Sequence, residues 1–261
     1  MRNFMVDINK CQNFFNEKVN SNDIKIWRCS NENIYDVLST TNAKDKDVLT
    51  VLSSGDQAFH FLNRGAKSVD TFDINSLTFY YFHLRKWLIC YFSYYYPPRK
   101  FDINFVKNLL KVVSIKNSDD ISAYYFWKIF INRFSSKELR EMFYLFDSKD
   151  DEIFDLCVIK NRLNNEKIRF YNIDLRNDVN MNKKYDIIYT SNIIDYVPQE
   201  KIVVYRDNIE KLLKKNGIFI TTLINSCKLK NSIVSIFDEK FALYDNRATD
   251  KASSYIYEKR K

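Results

Sequence analysis

Four polar segments each follow a short apolar run, and their residue types could bind a nucleotide or a nucleoside. They are Ser53-Ser54-Gly55-Asp56-Gln57, Asp73-Ile74-Asn75, Asp174 and Ser191-Asn192-Ile193-Ile194-Asp195-Tyr196. Small hydroxyl residues and a glycine let the backbone approach a ligand closely, and a carboxylate accepts hydrogen bonds from ribose hydroxyls. Gly55 and Asp73 stand eighteen residues apart, close to the roughly twenty of a nucleotide-binding βαβ unit. Together the four segments predict such a site.

Each segment also has a purely structural interpretation. Asp56 favours a helix N-terminus, Asp73 with Asn75 could cap the next helix, Asp174 could cap a turn, and Asp195 could cap the helix after Pro198. Taken singly, the residues leave both interpretations open. Four polar strand ends in one sheet favour the binding interpretation.

Asp195 and Tyr196 are the best-placed candidates for catalysis, because they come just past the fourth predicted strand. A carboxylate and a phenol there could hold an acceptor or remove its proton. The two histidines, His60 and His83, lie within predicted helices, so we expect both to be packed rather than catalytic.

The composition excludes several other kinds of site. The chain of 261 residues contains three glycines, which rules out a Walker-type phosphate loop and a full G-x-G-x-x-G fingerprint for NAD. The five cysteines, at positions 11, 29, 90, 157 and 227, have the spacing of neither a zinc site nor a disulfide framework. No metal is therefore expected.

The polar segments require a sheet whose strands end at one edge, and the chain supplies the pattern for it. Apolar and β-branched runs alternate with helical stretches, which predicts an α/β, Rossmann-like, mostly parallel sheet of about seven strands. The strands are predicted at 48–52, 68–72, 168–172, 185–190 and 218–224, with weaker signals at 233–236, 241–244 and 254–257. The helices are predicted at 57–64, ended by Gly65, from Ser76 onward with a core-facing stripe that includes Tyr91, and at 199–215, followed by a turn at Gly217.

The domain organisation follows from this alternation. Residues 1–43 form an N-terminal helical or extended segment, and residues 44–98 and 167–261 form the binding domain. Residues 99–166 are mainly helical in pattern and rich in aromatic residues, so we expect an inserted helical cap over the acceptor.

The segments also carry a family resemblance. DVLTVLSSGDQAFHFLNRGAKSVDTFDIN and YDIIYTSNIIDYV resemble the S-adenosylmethionine-dependent class I methyltransferase fold. Within that fold they look most like the betaine-lipid 3-amino-3-carboxypropyl transferase-like group, with its S-x-G-D-x-A, D-x-N and S-N-x-x-D-[WY] segments. The resemblance covers residues 47–92 and 168–224.

The resemblance implies S-adenosylmethionine as the cofactor and a role for each segment. Ser53, Ser54 and Gly55 would lie against the methionine part, Asp73 would hold the ribose, and Ile74 would lie beside the adenine. Asp174 and Leu175 would read the adenine edge, and Ser191 and Asn192 would lie under the sulfonium. Asp56, Gln57 and Asn75 complete the candidate cofactor residues.

The expected function is transfer of a methyl or a 3-amino-3-carboxypropyl group to a small-molecule or lipid acceptor. The alternative is a non-catalytic module on the same fold that binds a nucleotide or a membrane or nucleic-acid surface. Residues 200–261 hold 13 basic and 8 acidic side chains, +5 of the net charge of +8, which could contact an anionic membrane. No signal peptide is recognisable, so the expected location is the cytoplasm, with peripheral membrane contact as an option.

Overall fold

The structure, a computed structural model, describes most of the chain and divides it into two compact units. The described residues are 4–17, 25–27, 30, 32–94, 102–144, 155–165, 168–177, 179–224, 235–248 and 253–260. Residues 1–31, 52–56 and 73–167 form one unit, called here the helical unit. Residues 32–51, 57–72 and 168–261 form the other, called the sheet unit.

The principal strands and α-helices of the described residues are numbered in chain order. The strands are β1 (Ile26–Trp27), β2 (Asp47–Val51), β3 (Ser68–Phe72), β4 (Phe143–Tyr144), β5 (Arg169–Tyr171), β6 (Tyr185–Tyr189), β7 (Leu213–Leu223), β8 (Phe241–Ala248) and β9 (Ser253–Lys259). The helices are α1 (Phe4–Glu17), α2 (Ile34–Val37), α3 (Asp56–Asn63), α4 (Leu77–Phe92), α5 (Ile103–Val112), α6 (Ser118–Arg133), α7 (Ser136–Met142), α8 (Leu156–Asn165) and α9 (Ile202–Leu212).

The sheet unit contains a seven-stranded sheet in the order β5-β3-β2-β6-β7-β9-β8. All neighbouring pairs are parallel except those of β9, which runs antiparallel to both β7 and β8. This confirms the predicted mostly parallel sheet of about seven strands. The order reverses between β2 and β6, so this is the topological switch point, beyond whose carboxyl ends an open α/β sheet binds its ligands.

The sheet is buried on both faces, which explains why the sequences of its strands are nearly continuous hydrophobic runs. Val48 and Leu49 of β2 and Ile188 of β6 are completely buried, as expected where helices cover a parallel sheet. On one face, α9 packs Tyr205 and Ile209 into the same core as the aromatic residues of β7 and β9.

Three predicted boundaries in the sheet unit need correction. The predicted helix 199–215 is α-helical only over α9, and β7 begins at Leu213 because that residue pairs with Tyr185. The predicted strand at 233–236 is wrong where the structure describes it, since 235–236 are helical. Gly217 lies inside β7, where a Cβ would come 2.9 Å from the Lys214 carbonyl oxygen, so close backbone approach requires the glycine.

The helical unit is built around α4, which is buried on nearly every side rather than along one stripe. Its Tyr80 ring stacks on Phe126 of α6 with centroids 3.9 Å apart, and the Trp127 indole donates to the Tyr80 carbonyl. The predicted stripe is wrong at Tyr91, which is 38% exposed. Residues 102–144 and 155–165 contain α5, α6, α7 and α8 and the two residues of β4, which pair with β1. The predicted role of this region as a cap over the acceptor stays a prediction.

No helix in the described part of the chain is long and apolar enough to cross a bilayer.

Candidate functional site

The turn after β2 is tight and carries two residues with positive φ. Ser53 has φ +44° and Gly55 has φ +94°, and the Gly55 N–H donates to the Leu52 carbonyl at 2.6 Å. Positive φ costs a serine conformational energy, so surrounding contacts must hold the turn in this shape.

A buried ion pair supplies those contacts. Asp56 accepts from the Arg85 guanidinium at 2.8 Å, from the Ser54 hydroxyl at 2.8 Å and from the Ser30 N–H at 2.5 Å. Arg85 also donates to the Ser54 carbonyl at 2.7 Å. Burial by itself raises the pKa of Asp56, but the charge of Arg85 and these hydrogen bonds outweigh it and lower the pKa. Asp56 therefore fixes the shape of the turn.

Arg85 is a residue that the sequence analysis missed. It is completely buried on α4, a rare place for an arginine unless it is paired. Its position, four residues after Tyr81 and three before Leu88, puts it on the apolar face of the helix. A charged residue on the apolar face of a predicted helix was the sequence signal that could have identified Arg85.

Asp73 joins the turn after β3 to the turn after β2. One carboxylate oxygen accepts from the Ser53 N–H at 2.8 Å, and the other accepts from the Asn75 N–H at 2.9 Å. Burial raises the pKa of Asp73 to about 6, although hydrogen bonds from Asn75, Ser53 and Thr78 act in the opposite direction. The structure thus brings the first two predicted segments together around one carboxyl group.

Asn75 and Ile74 differ in what they contact. The Asn75 side chain accepts from the Leu77 N–H at 3.0 Å, so it satisfies the first N–H of α4 from the residue before the N-cap, Ser76. Its amide also donates to the Lys25 carbonyl at 3.3 Å. The Ile74 side chain is 58% exposed.

In the sheet unit, the segment after β6 is tied to β7. Ser191 has φ +54°, and its carbonyl accepts from the Thr222 N–H at 2.9 Å and the Thr221 hydroxyl at 3.0 Å. Asp195 accepts from the Ile224 N–H at 2.8 Å. The N-cap of the next helical turn is Pro198, without a side-chain cap. Asp195 therefore anchors the end of β7, a structural role different from the predicted cap.

The remaining predicted residues of the sheet unit divide by burial. Leu175 and Gln57 are buried, Asn192 is partly buried, and Tyr196 is 60% exposed. Asp174 accepts from Arg176 at 2.8 and 3.0 Å through the guanidinium and at 2.9 Å through the backbone N–H. Burial raises the pKa of Asp174, but the contacts with Arg176 outweigh it and lower the pKa. This is the turn cap of the structural interpretation.

Glu32 is a second residue that sequence reasoning missed. It precedes α2 and is buried, and the Tyr189 phenol at the end of β6 donates to its carboxylate. Burial raises the pKa of Glu32 to about 7, against hydrogen bonds with Tyr189, Ser191 and Thr222. The charge of Asp195 also raises it. No sequence signal marked Glu32, because it lies far from these partners along the chain.

In the described part of the chain, no group of three or more His, Cys, Asp or Glu side chains is placed to hold a metal ion.

Comparison with known proteins identifies the fold. No family model and no curated protein sequence matches the chain. The TehB-like SAM-dependent methyltransferase of Corynebacterium glutamicum ATCC 13032 is similar in structure, with 10% identity, a TM-score of 0.50, and coverage of 99% of this chain and 100% of that one. The PH0226 protein of Pyrococcus horikoshii OT3 has 11% identity and a TM-score of 0.50 over 88% and 93%.

The chain therefore has the class I methyltransferase fold, as its sequence predicted. The likeness to the betaine-lipid transferase group and the roles of the individual site residues stay predictions.

The contact between Asp195 and β7 gives a stability prediction. Asp195→Ala leaves the Ile224 N–H without its acceptor and should lower the free energy of unfolding by about 1–3 kcal/mol. Asp195→Asn keeps a carbonyl oxygen and should cost less than about 1 kcal/mol. Urea unfolding of both variants measures the difference. Equal stability of the two variants would contradict the anchoring role.

Proposed function

We propose that the protein is an S-adenosylmethionine-dependent transferase and that it moves the methyl group to a small-molecule or lipid acceptor. The observation that carries the proposal is the hydrogen bond from Ser53 to Asp73, which joins two strand-end turns around a partly buried carboxyl group. Such turns are where an open α/β sheet binds nucleotides. The name of the similar Corynebacterium structure, a SAM-dependent methyltransferase, supports the same choice of cofactor.

The residues of these turns fit a nucleoside cofactor. The raised pKa of Asp73 indicates that its ionised form is poorly solvated, so two ribose hydroxyls would stabilise it. The tight turn at Ser53, Ser54 and Gly55 lies next to that carboxyl, and Ser53 is its partly exposed residue. In the proposed function Ile74, Asp174 and Leu175 would contact the adenine, while Ser191 and Asn192 would lie near the sulfur.

When bound, the cofactor supplies a carbon activated by its sulfonium, so the protein needs chiefly to position the acceptor. Asp195 and Tyr196 would orient that acceptor. Asp195 is held by the end of β7, which fixes the direction of its carboxylate. Tyr196 is exposed and can reach a ligand in solution.

A second candidate reaction is transfer of the 3-amino-3-carboxypropyl group, which the S-N-x-x-D-Y segment at 191–196 favours through its resemblance to the betaine-lipid group. The two reactions differ in which carbon on sulfur faces the acceptor. Their products also differ: methyl transfer leaves S-adenosylhomocysteine, and aminocarboxypropyl transfer leaves methylthioadenosine. A non-catalytic module would leave the cofactor intact.

If the acceptor is a lipid, the proposal includes contact between the basic C-terminal region and an anionic membrane.

The experiment that tests the proposal is a thermal-shift comparison of S-adenosylmethionine, S-adenosylhomocysteine, methylthioadenosine and NAD. A ligand at one hundred times its Kd stabilises the folded state by about 2.7 kcal/mol, so we expect shifts with the first three and none with NAD. Mass spectrometry after prolonged incubation with S-adenosylmethionine then identifies the product. Failure of all adenosyl ligands to stabilise the protein would overturn the proposal.

A further inference from the structure

Glu32 lies at the point where the sheet topology directs a ligand. Its carboxylate accepts from Tyr189, the last residue of β6, and it interacts with Ser191 just beyond that strand and with Thr222 near the end of β7. The reversal of strand order between β2 and β6 places the ligand crevice at these carboxyl ends. Glu32 thus belongs to the region of the sheet unit that would meet the reacting groups.

Several hydroxyl groups interact with the Glu32 carboxylate. Tyr189, Ser191 and Thr222 are all buried, and Thr222 also contacts the Ser254 hydroxyl at 3.3 Å. The titratable groups that act on Glu32 are Tyr189 on β6 and Asp195 in the turn after it. Hydroxyl groups adapt to either protonation state of a carboxyl, because they donate or accept.

We propose that Glu32 is the proton-accepting group of the transferase site, ionised while a cationic sulfonium is bound and protonated once the transfer has removed that charge. This inference rests on the proposed function. The inference narrows the proposed function, because it restricts the acceptor to a group that loses a proton, such as an amine or a hydroxyl.

The chemistry balances in charge and in atoms. The acceptor's lone pair forms the bond to the transferred carbon, the carbon–sulfur bond breaks with its electron pair on sulfur, and Glu32 receives the acceptor's proton. A positive sulfonium and a negative carboxylate become a neutral thioether and a neutral carboxyl group.

The titration of Glu32 fits both the binding of the cationic cofactor and the transfer step that follows. With a pKa of about 7, the carboxyl group is about half protonated at neutral pH in the absence of ligand. A nearby positive charge favours the ionised form, so binding of the sulfonium expels the remaining proton. Loss of that charge restores the higher pKa and makes Glu32 a competent base at the moment of transfer.

Isothermal titration calorimetry tests the inference without a known acceptor. Binding enthalpies in two buffers of different ionisation enthalpy give the protons released for S-adenosylmethionine and for its neutral product, S-adenosylhomocysteine. At pH 7 the cationic ligand should release about half a proton more than the neutral one, and at pH 8.5 the difference should nearly vanish. The difference cancels contributions from groups that contact the parts shared by both ligands.

Three variants test whether the released proton comes from Glu32. Glu32→Gln should abolish the difference, whereas Glu200→Gln, which changes an exposed glutamate in the turn before α9, should retain it. Tyr189→Phe removes a hydrogen bond that lowers the pKa of Glu32, so its difference at pH 7 should rise toward one proton. If Glu32→Gln does not fold, the number of protons released by Tyr189→Phe tests whether Glu32 is the group that titrates.

The outcomes separate this inference from the proposed function. If neither ligand binds the wild-type protein, both are overturned. If both ligands bind and release equal numbers of protons, or if the difference persists in Glu32→Gln, Glu32 is not the proton acceptor and the proposed function stands.

Discussion

Arg85→Met should lower the free energy of unfolding by about 3–5 kcal/mol, because it leaves Asp56 as a buried carboxylate without its cation. The arginine is completely buried and pairs with Asp56 at 2.8 Å. Methionine fills a similar volume on the helix, so the loss reflects the unpaired charge rather than a cavity. Urea unfolding followed by circular dichroism measures the change.

Two further variants show that the loss belongs to the ion pair. Arg140→Met, at an exposed position of α7 in the same unit, should change the free energy of unfolding by less than about 0.5 kcal/mol. Adding Asp56→Asn to Arg85→Met removes the stranded charge and should reveal a coupling of about 1–3 kcal/mol. Additive effects of the two substitutions would refute the role assigned to the pair.

The pair also bears on ligand binding. Arg85 and Asp56 hold the turn that contains Ser53 and Gly55, so a folded Arg85→Met variant should bind an adenosyl ligand more weakly than wild type. Retained affinity would mean that the turn keeps its shape without the pair.

Asp73→Ala should weaken the binding of both S-adenosylmethionine and S-adenosylhomocysteine by about 2–4 kcal/mol, or roughly 30- to 1,000-fold. The physical reason is the loss of a charged acceptor for two ribose hydroxyls. The same substitution removes the acceptor of the Ser53 and Asn75 N–H groups, so circular dichroism must show a folded variant. Asp119→Ala, at a position of α6 that is partly buried as Asp73 is, is the matched control.

The pH dependence gives an independent check on Asp73. Its pKa is raised to about 6, and only the ionised form accepts from two hydroxyls. The affinity for S-adenosylhomocysteine should therefore be constant above about pH 7 and fall as the pH drops through 6, by up to tenfold per unit. Unchanged affinity in folded Asp73→Ala, or no loss of affinity at low pH, would show that Asp73 only stabilises the turn.

The sequence predicted the sheet well because its signals are local. Strand 68–72 was predicted with the bounds that β3 has, since a β-branched run between polar turns admits few alternatives. Gly65, with φ +76°, ends α3 as expected. The predicted end of the helix 199–215 was wrong because strand pairing overrode the local helical pattern. Leu213 pairs with Tyr185 and so belongs to β7.

The candidate site was predictable only in part. Composition and spacing selected Asp73 and Ser53, which the fold joins by a hydrogen bond. They could not rank the carboxyl groups, because Asp56, Asp73 and Asp174 look alike in a strand-end segment. Burial and partners separate them: contacts with arginines lower the pKa of Asp56 and Asp174, and burial without such a cation raises that of Asp73.

By itself the sequence determined the order of strands and helices, the class of fold and the strand-end segments, because alternation of apolar residues and turn chemistry act over a few neighbouring residues. Only the tertiary structure decided that Arg85 fixes the turn after β2 and that Glu32 meets Tyr189. Arg85 lies 29 residues from Asp56 in the chain, and Tyr189 lies 157 residues from Glu32. Their interactions depend on tertiary contacts that bury distant residues together, and no local sequence pattern records such contacts. Burial and the charge of the partner together set the pKa of Asp56, and burial raises that of Glu32.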